Sequence, residues 1–502
     1  MTAVTEKLHE AGTATSRMAA FGFAFIAGAC VLFYEALATS GGSDIEVVWG
    51  AAALATYMVG LLCLAGASQG AGVGIFRWKI GPWLLIWYAV TFGVATLTWH
   101  QPQTSGVASE IAVPSVLRAL WVVAVGITAW FVGYMLGPGQ VVLSAGNQAV
   151  AALCRRFTGE VRSLAAPWIL YAVGLAARLV TALSTGLLGY VGNVSSSVTT
   201  ASGYQGALGA LALCAPLAVA AASLQVFRDR VKGARITLAV LFLAEVGFGA
   251  AAGNKKNFIV AVLAVVIPFG AAHRRLPRAA LTGLIITFLV VVVPFNQAYR
   301  SIVRQGAVTL TPYQSIAVAP AALEQTVASG DLVNVALGSA DFLIQRIREI
   351  DNVAIVVQRT PMQVHFVDPI QLIEAPVLGM IPRALWPGKP ILATGYQFSQ
   401  TFYELPASVY TSSADTMVGG LYWFGGWASV IVGMMLFGAV IRFLDKILDV
   451  WTNPHAIFLI LLLFPVLVGG ETDWSALLGA VPATLLVWLL SVAIIFRSGR
   501  RV

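Results

Sequence analysis

The chain has 502 residues, of which 58% are hydrophobic and only 10% charged, with a formal net charge of +8. A soluble domain carries about a quarter charged residues, so a chain this apolar cannot cover a water-facing exterior. Its basic balance does not point to nucleic acid, because many lysines and arginines stand in short connectors between apolar runs, where membrane orientation signals belong.

The first 17 residues precede an apolar run at about 18–38. That run is too long for a signal-peptide core and no A-x-A site follows it, so it reads as a retained first span. Eleven further spans follow at about 47–68, 80–99, 112–136, 166–188, 205–227, 235–252, 257–272, 279–296, 416–443, 454–470 and 474–496. Each run approaches or exceeds the ~18 apolar residues that mark a membrane helix. The expected fold is an all-α polytopic bundle of about twelve spans. Residues 1–296 hold spans one to nine, 297–415 form one large extracytoplasmic loop with short helices, and 416–502 hold the last three spans. Cys30, Cys63 and Cys214 lie in apolar runs and Cys154 beside Arg155 and Arg156, so neither a disulfide framework nor a CxxC metal spacing is present.

Orientation follows from the connectors. Arg77–Lys79, Arg155–Arg162, Arg228–Arg235, Arg274–Arg278, Arg442–Lys446 and Arg497–Arg501 are basic and read as cytoplasmic, with both termini on that side. The alternate connectors are mostly poor in Lys and Arg. The turn Gly253-Asn254-Lys255-Lys256-Asn257 breaks that rule. Either a span is miscounted there or the two lysines stay outside to bind an anion; the second reading fits the later connectors better. Within the large loop, Leu332–Arg348 predicts an amphipathic helix capped by Asp331. Phe366–Pro390, rich in Pro and Gly, predicts a short helix with turns at the membrane surface.

Ionisable residues inside spans are costly and mark candidate sites. Here they are Arg118, Arg178 and Glu245. Arg178 and Glu245 also suit a structural ion pair, and Arg118 suits a side chain snorkelling outward. Arg118, Arg178, Lys255 and Lys256 place positive charge in the outer half of the bundle. The loop adds Arg300, Arg304, Arg346, Arg348, Arg359, Arg383 and Lys389. Guanidinium forks match phosphate oxygens and cations stabilise a departing anion, so this set suits a lipid-linked phosphate or pyrophosphate. Glu349, Asp351 and His365 are the candidate bases, with Asp368, Glu374, Glu404 and Asp415 also available. Among the late aromatics, Trp386, Tyr403 and Tyr422 are candidates for sugar stacking, whereas Trp423 and Trp427 fit an interfacial belt. Asp44-Ile45-Glu46 offers two carboxylates for a hard cation, which would suit a glycosyltransferase using a lipid-monophosphate sugar.

The block Gly379-Met-Ile-Pro382-Arg383-Ala-Leu-Trp386-Pro387-Gly-Lys389-Pro390 resembles a signature of oligosaccharide repeat-unit polymerases, the O-antigen polymerase-like family of GT-C-type membrane glycosyltransferases. Thr416 to Gly426, the turn Ala252 to Lys256 and the stretch Asn296 to Arg300 are similar to further features of that family, although Lys255 and Lys256 stand where arginine is frequent. The resemblance covers about Gly253 to Gly426. It implies glycosyl transfer with no metal or other cofactor at the outer face of a bacterial cytoplasmic membrane. The partners implied are a polyprenyl-pyrophosphate-linked glycan donor and acceptor, membrane lipids, and a flippase or chain-length protein, with no nucleic acid. Arg300, Arg304, Arg383, Arg178 and Lys255 would hold pyrophosphate, and Glu349, Asp351 or His365 would activate the acceptor. A ligase acting on a different acceptor and a lipid-linked glycan transporter are the competing expectations.

Overall fold

The computed structural model describes residues 2–38, 42–68, 77–100, 111–154, 157–185, 205–304, 314, 317–328, 332–367, 374, 377–378, 381, 386, 394–406, 413, 415–469 and 474–498. Eleven helical segments among them are long and apolar enough to cross a membrane, and the 14-residue Pro454–Leu467 stands in the position of a twelfth. The chain is an all-α, multi-pass membrane protein. Helices dominate because hydrocarbon offers no partner for a backbone N–H or C=O, and only a helix satisfies both within one segment.

In chain order the elements are α1 (Thr2–Ala38), α2 (Asp44–Ser68), α3 (Ile80–Tyr88), α4 (Val113–Leu136), α5 (Gln140–Cys154), β1 (Phe157–Val161), α6 (Ala166–Thr185), α7 (Gln205–Ala212) and α8 (Cys214–Phe227). Then come α9 (Ala234–Ala251), α10 (Lys255–His273), α11 (Arg278–Thr287), α12 (Val293–Arg304), α13 (Ala319–Ala328), α14 (Leu332–Ile347), α15 (Ile350–Arg359) and α16 (Thr394–Tyr403). The last are α17 (Met417–Ile447), α18 (Pro454–Leu467), α19 (Trp474–Ile495) and β2 (Phe496–Ser498).

The connectors sort to two ends. At one end Lys79 reaches the Asp445 and Leu448 carbonyls, Arg77 pairs with Asp449, and Arg228 meets the Gly159 carbonyl. At the other, called here the loop end, Arg348 reaches the Thr98 carbonyl, the Ala112 N–H donates to Gln358, and Arg300 grips the Gly253 carbonyl.

The core pairs α4 with α17. A Cβ on Gly133 would stand 1.9 Å from the Met435 carbonyl oxygen, and one on Gly438 would stand 2.0 Å from that of Trp130. Only glycine lets these backbones approach so closely, a device suited to lipid, where burial of apolar surface does not itself drive helices together. Asp445 closes the short-connector end of this pair. Its carboxylate accepts from the Ile80 and Gly81 N–H groups at 2.6 and 3.0 Å and from the Tyr134 hydroxyl at 2.8 Å.

Several features depart from the sequence reading. Residues 140–154 form α5, and β1 pairs antiparallel with β2, fastening the C-terminal strand beneath the bundle. The ninth span does not end at 296; after a π-helical turn at Phe288–Val292 it continues as α12 to Arg304. The reason is a second apolar face: Phe295, Ala298, Tyr299, Ile302 and Val303 pack with Val318, Ala319 and Ala322 of the α13 region. The third span widens after α3 into a π-helical turn (Ala89–Gly93) and narrows into a 3-10 turn (Val94–Thr98). Helix α17 is broken at Gly425 and Gly426, the latter at φ +63°, with the Phe366 ring 3.5 Å from where a Gly426 Cβ would stand. Asp44 and Glu46 do not stand as an open pair of metal ligands. Glu46 is 1% exposed and its carboxylate accepts from the Gly42 and Ser43 N–H groups at 2.9 and 3.3 Å, the glutamate half of a capping box at the start of α2.

Helix α14 forms where amphipathic spacing predicts it, at Leu332–Ile347; Asp331 lies outside the described residues. The following α15 is buried on nearly every face, with Val353, Ala354, Ile355 and Val356 at 0% exposure. It rests on α4 and α17, so this part of the large loop is built into the bundle.

Candidate functional site

The turn between α9 and α10 is held from three sides. Gly253 takes φ +60°, and a side chain there would crowd the Tyr299 ring at 3.4 Å. The Asn254 side chain caps α10 by accepting from the Lys256 N–H at 3.0 Å. From α12, Tyr299 donates to the Ala251 carbonyl at 2.8 Å, and Arg300 places Nε and Nη2 on the Gly253 carbonyl at 3.1 and 2.8 Å. These bonds satisfy carbonyls that a helix end leaves without intrahelical partners.

The same contacts assemble charge. Lys255 begins α10, where the helix dipole adds positive potential. Its ammonium lies 4.3 Å over the Phe342 ring of α14, and it stands within electrostatic reach of Arg300 and Arg346. Three cations from α10, α12 and α14 therefore converge at the loop end beside an aromatic wall. Oriented N–H groups at a helix start with neighbouring cations make a site for an anion.

The other expected residues divide clearly. Lys256 is exposed beside the cluster; Arg304 ends α12, and its side chain lies outside the described residues. Arg383 and Lys389, with most of the Gly379–Pro390 block, also lie outside them, and Trp386 is exposed. Arg178 is not open to a ligand. It forms a two-pronged pair with Glu245, both contacts at 2.7 Å, with its guanidinium 4.3 Å from the Phe248 ring. The two residues meet because each lies about 17 Å from the short-connector end of its own helix at 1.5 Å per residue. Arg118 is exposed on the stripe of α4 that also carries Pro114 and Trp121.

Arg348, Glu349 and Asp351 serve a different purpose from the expected one. Arg348 is 6% exposed and pairs with Asp351 at 2.9 Å, one helical turn on. The Glu349 N–H approaches the Thr91 carbonyl at 3.4 Å, and its carboxylate, 2% exposed overall, accepts from Asn352 at 2.7 Å. Tyr403 donates to the other side of that amide, joining α16 to α15. Burial pushes the Asp351 carboxyl above the ordinary carboxylate range, with Arg348 pulling it part of the way back. These groups dock α15 onto the irregular end of the third span; carbonyls of its π and 3-10 turns take the N–H groups that α15 offers. Arg359, the last residue of α15, pairs with Glu404, just beyond α16. His365 is exposed beyond the C-terminal end of α15, a helix about 15 Å long, whereas Arg346 lies before its N-terminal end. Tyr422 is 5% exposed and meets Trp427 edge-on inside the break of α17.

Reading the sequence missed Phe342, Asn352 and Tyr299 as partners. The i,i+3 spacing of Arg348 and Asp351 and the Ser-x-x-Glu pattern at Ser43 were the signals that a more local reading would use. The family described as a domain of unknown function (DUF8712) matches residues 176–452, just over half of the chain. No curated protein and no solved structure matches it.

Proposed function

The chain belongs to the DUF8712 family, and we propose that it is a membrane glycosyltransferase that polymerises polyprenyl-pyrophosphate-linked oligosaccharide units. The observation that carries this reading is the convergence of Lys255, Arg300 and Arg346 at the start of α10, beside apolar helices that suit a lipid tail. In this reading the membrane is a bacterial cytoplasmic membrane. Both termini and the basic connectors face the cytoplasm, and the loop end faces outward.

The chemistry follows from the charges. A hydroxyl oxygen of the acceptor glycan attacks the anomeric carbon of the donor. The bond from that carbon to the pyrophosphate oxygen breaks, and the electron pair leaves with the lipid pyrophosphate. Lys255, Arg300 and Arg346 stabilise the charge that develops there. The hydroxyl proton leaves to solvent or to the departing phosphate. His365 follows the C-terminal end of α15 whereas Arg346 precedes its N-terminal end, and Glu349 and Asp351 are engaged in docking α15. The resemblance of Gly379–Pro390 and Asn296–Arg300 to repeat-unit polymerases supports the same assignment.

The test replaces Lys255 and Arg346 together with glutamine. Glycan ladders from cells carrying the variant should collapse to single repeat units while membrane insertion is unchanged. A ladder of unaltered length rejects the assignment. A product linked to a different acceptor would make the enzyme a ligase, and glycan movement across proteoliposomes without bond formation would make it a transporter.

A further inference from the structure

A second basic assembly lies at the opposite end of the bundle, and the proposed glycan chemistry does not use it. Three turns meet there: residues 77–79 before α3, Arg274 after α10, and residues 448–453 after α17. Two of them bring a guanidinium to the ring carried by the third. Arg77 Cζ lies 4.7 Å from the centroid of Trp451 and Arg274 Cζ lies 5.2 Å from it.

Topology signals alone do not require this. A basic connector orients a span wherever its side chains point, whereas here arginines almost two hundred residues apart in sequence share one indole. The backbone is held to that end. Arg274 adopts φ +54° as the residue after α10, and Trp78, next to Arg77, adopts φ +56°. Left-handed non-glycine residues persist only where their surroundings fix them, and they gather at ligand clamps. Trp78 is fixed by burial at 2% exposure and by stacking on Trp83 at 5.2 Å.

Hydrogen-bonding capacity remains unused at this place. The Arg77–Asp449 contact is long, at 3.6 Å, and the buried Arg77 Nε has no hydrogen-bond partner among the described residues. Among the described residues the buried Trp451 Nε1 also has none. The Arg274 side chain is exposed. Two forks of N–H donors and an indole N–H, all donors and none acceptors, match an anion with several oxygens. The site sits at the polar end of membrane helices, where basic pockets between helices take lipid headgroups.

We propose that Arg77, Arg274 and Trp451 form a binding site for the phosphodiester of an anionic phospholipid headgroup. Asp449 sets the position of Arg77 and limits the site to a ligand able to displace or bridge that long contact.

The full chain, purified in detergent, is mixed with phosphatidylglycerol or with phosphatidylcholine of the same acyl chains, and retained lipid is read by native mass spectrometry. Wild-type protein should retain phosphatidylglycerol preferentially. Arg77→Gln with Arg274→Gln should lower that retention roughly tenfold or more, the scale of losing charge-assisted bonds. Arg278→Gln, which changes an exposed cation of the same connector that is not on the indole, should leave retention unchanged. Equal retention of the two lipids by wild-type protein overturns the proposal, as does a double variant no weaker than Arg278→Gln. If the glutamine variants do not yield monodisperse protein, Arg77→Lys with Arg274→Lys replaces them. Those variants keep the charge and lose the forks, so their retention should fall short of wild type, and wild-type retention in them overturns the proposal. A soluble arm adds inorganic phosphate and glycerol phosphate. Displacement of the lipid only by the lipid headgroup analogue assigns a lipid source; stabilisation of lipid-free protein by inorganic phosphate alone assigns a free phosphate and overturns the lipid assignment.

Discussion

Replacing Glu245 by leucine separates a structural role for Arg178 from a substrate-binding one. Glu245 is 1% exposed and Arg178 10%, with both prongs of the pair at 2.7 Å. Removing one partner from a buried ion pair costs about 3–5 kcal/mol, because the other charge stays buried, whereas replacing both with apolar side chains is often neutral or stabilising. The Phe248 ring under the guanidinium returns roughly 0.5–2 kcal/mol to an Arg178 left alone. Glu245→Leu should therefore lose about 2–4 kcal/mol, Arg178→Met about 3–5 kcal/mol, and the double variant less than about 1 kcal/mol. Unfolding of the purified variants in one detergent measures the cycle, and glycan ladders from the same strains report function. A double variant that folds like wild type and still builds no polymer refutes the reasoning, since Arg178 would then act on substrate. A Glu245→Leu protein as stable as wild type refutes it from the other side.

Three further outcomes follow from the geometry. Asp445→Ala strands the Ile80 and Gly81 N–H groups and the Tyr134 hydroxyl; at roughly 1–3 kcal/mol for each unsatisfied buried donor, it should be among the most destabilising single changes, and a wild-type melting curve would contradict the hub. Gly438→Leu would drive a side chain into the Trp130 carbonyl, so detergent-solubilised protein should lose its monodisperse peak, while an exchange at Gly283, which meets nothing within 4 Å, should not. The third concerns pH. Burial raises the Asp351 carboxyl above its ordinary 3.8, so just above that pH the folded chain holds a proton that the unfolded chain has released. Stability should fall as pH rises from about 4 through the folded-state value and then level off. Asp351→Asn should remove that slope, and an identical slope in both proteins would show that the carboxyl titrates normally.

The sequence by itself determined the membrane architecture. The apolar runs and the basic connectors between them are local sums of hydropathy and charge along the chain; eleven of the twelve expected runs stand as helices long and apolar enough to span, and the twelfth is the shorter Pro454–Leu467. The Glu46 cap at the start of α2 and the helix at Leu332–Ile347 were within reach of the same local reading. Which helix faces which was not. Lipid is as apolar as a helix interface, so a uniformly hydrophobic span carries no stripe that names its neighbour. Only the tertiary structure decided between the two expectations for Arg178 by pairing it with Glu245, and showed that Lys255 joins Arg300 and Arg346. It likewise decided that Arg77 and Arg274 share Trp451. The depth at which each side chain leaves its helix sets these meetings. A basic residue therefore becomes part of a fork, an ion pair or an anion site according to what the neighbouring helix presents at the same depth.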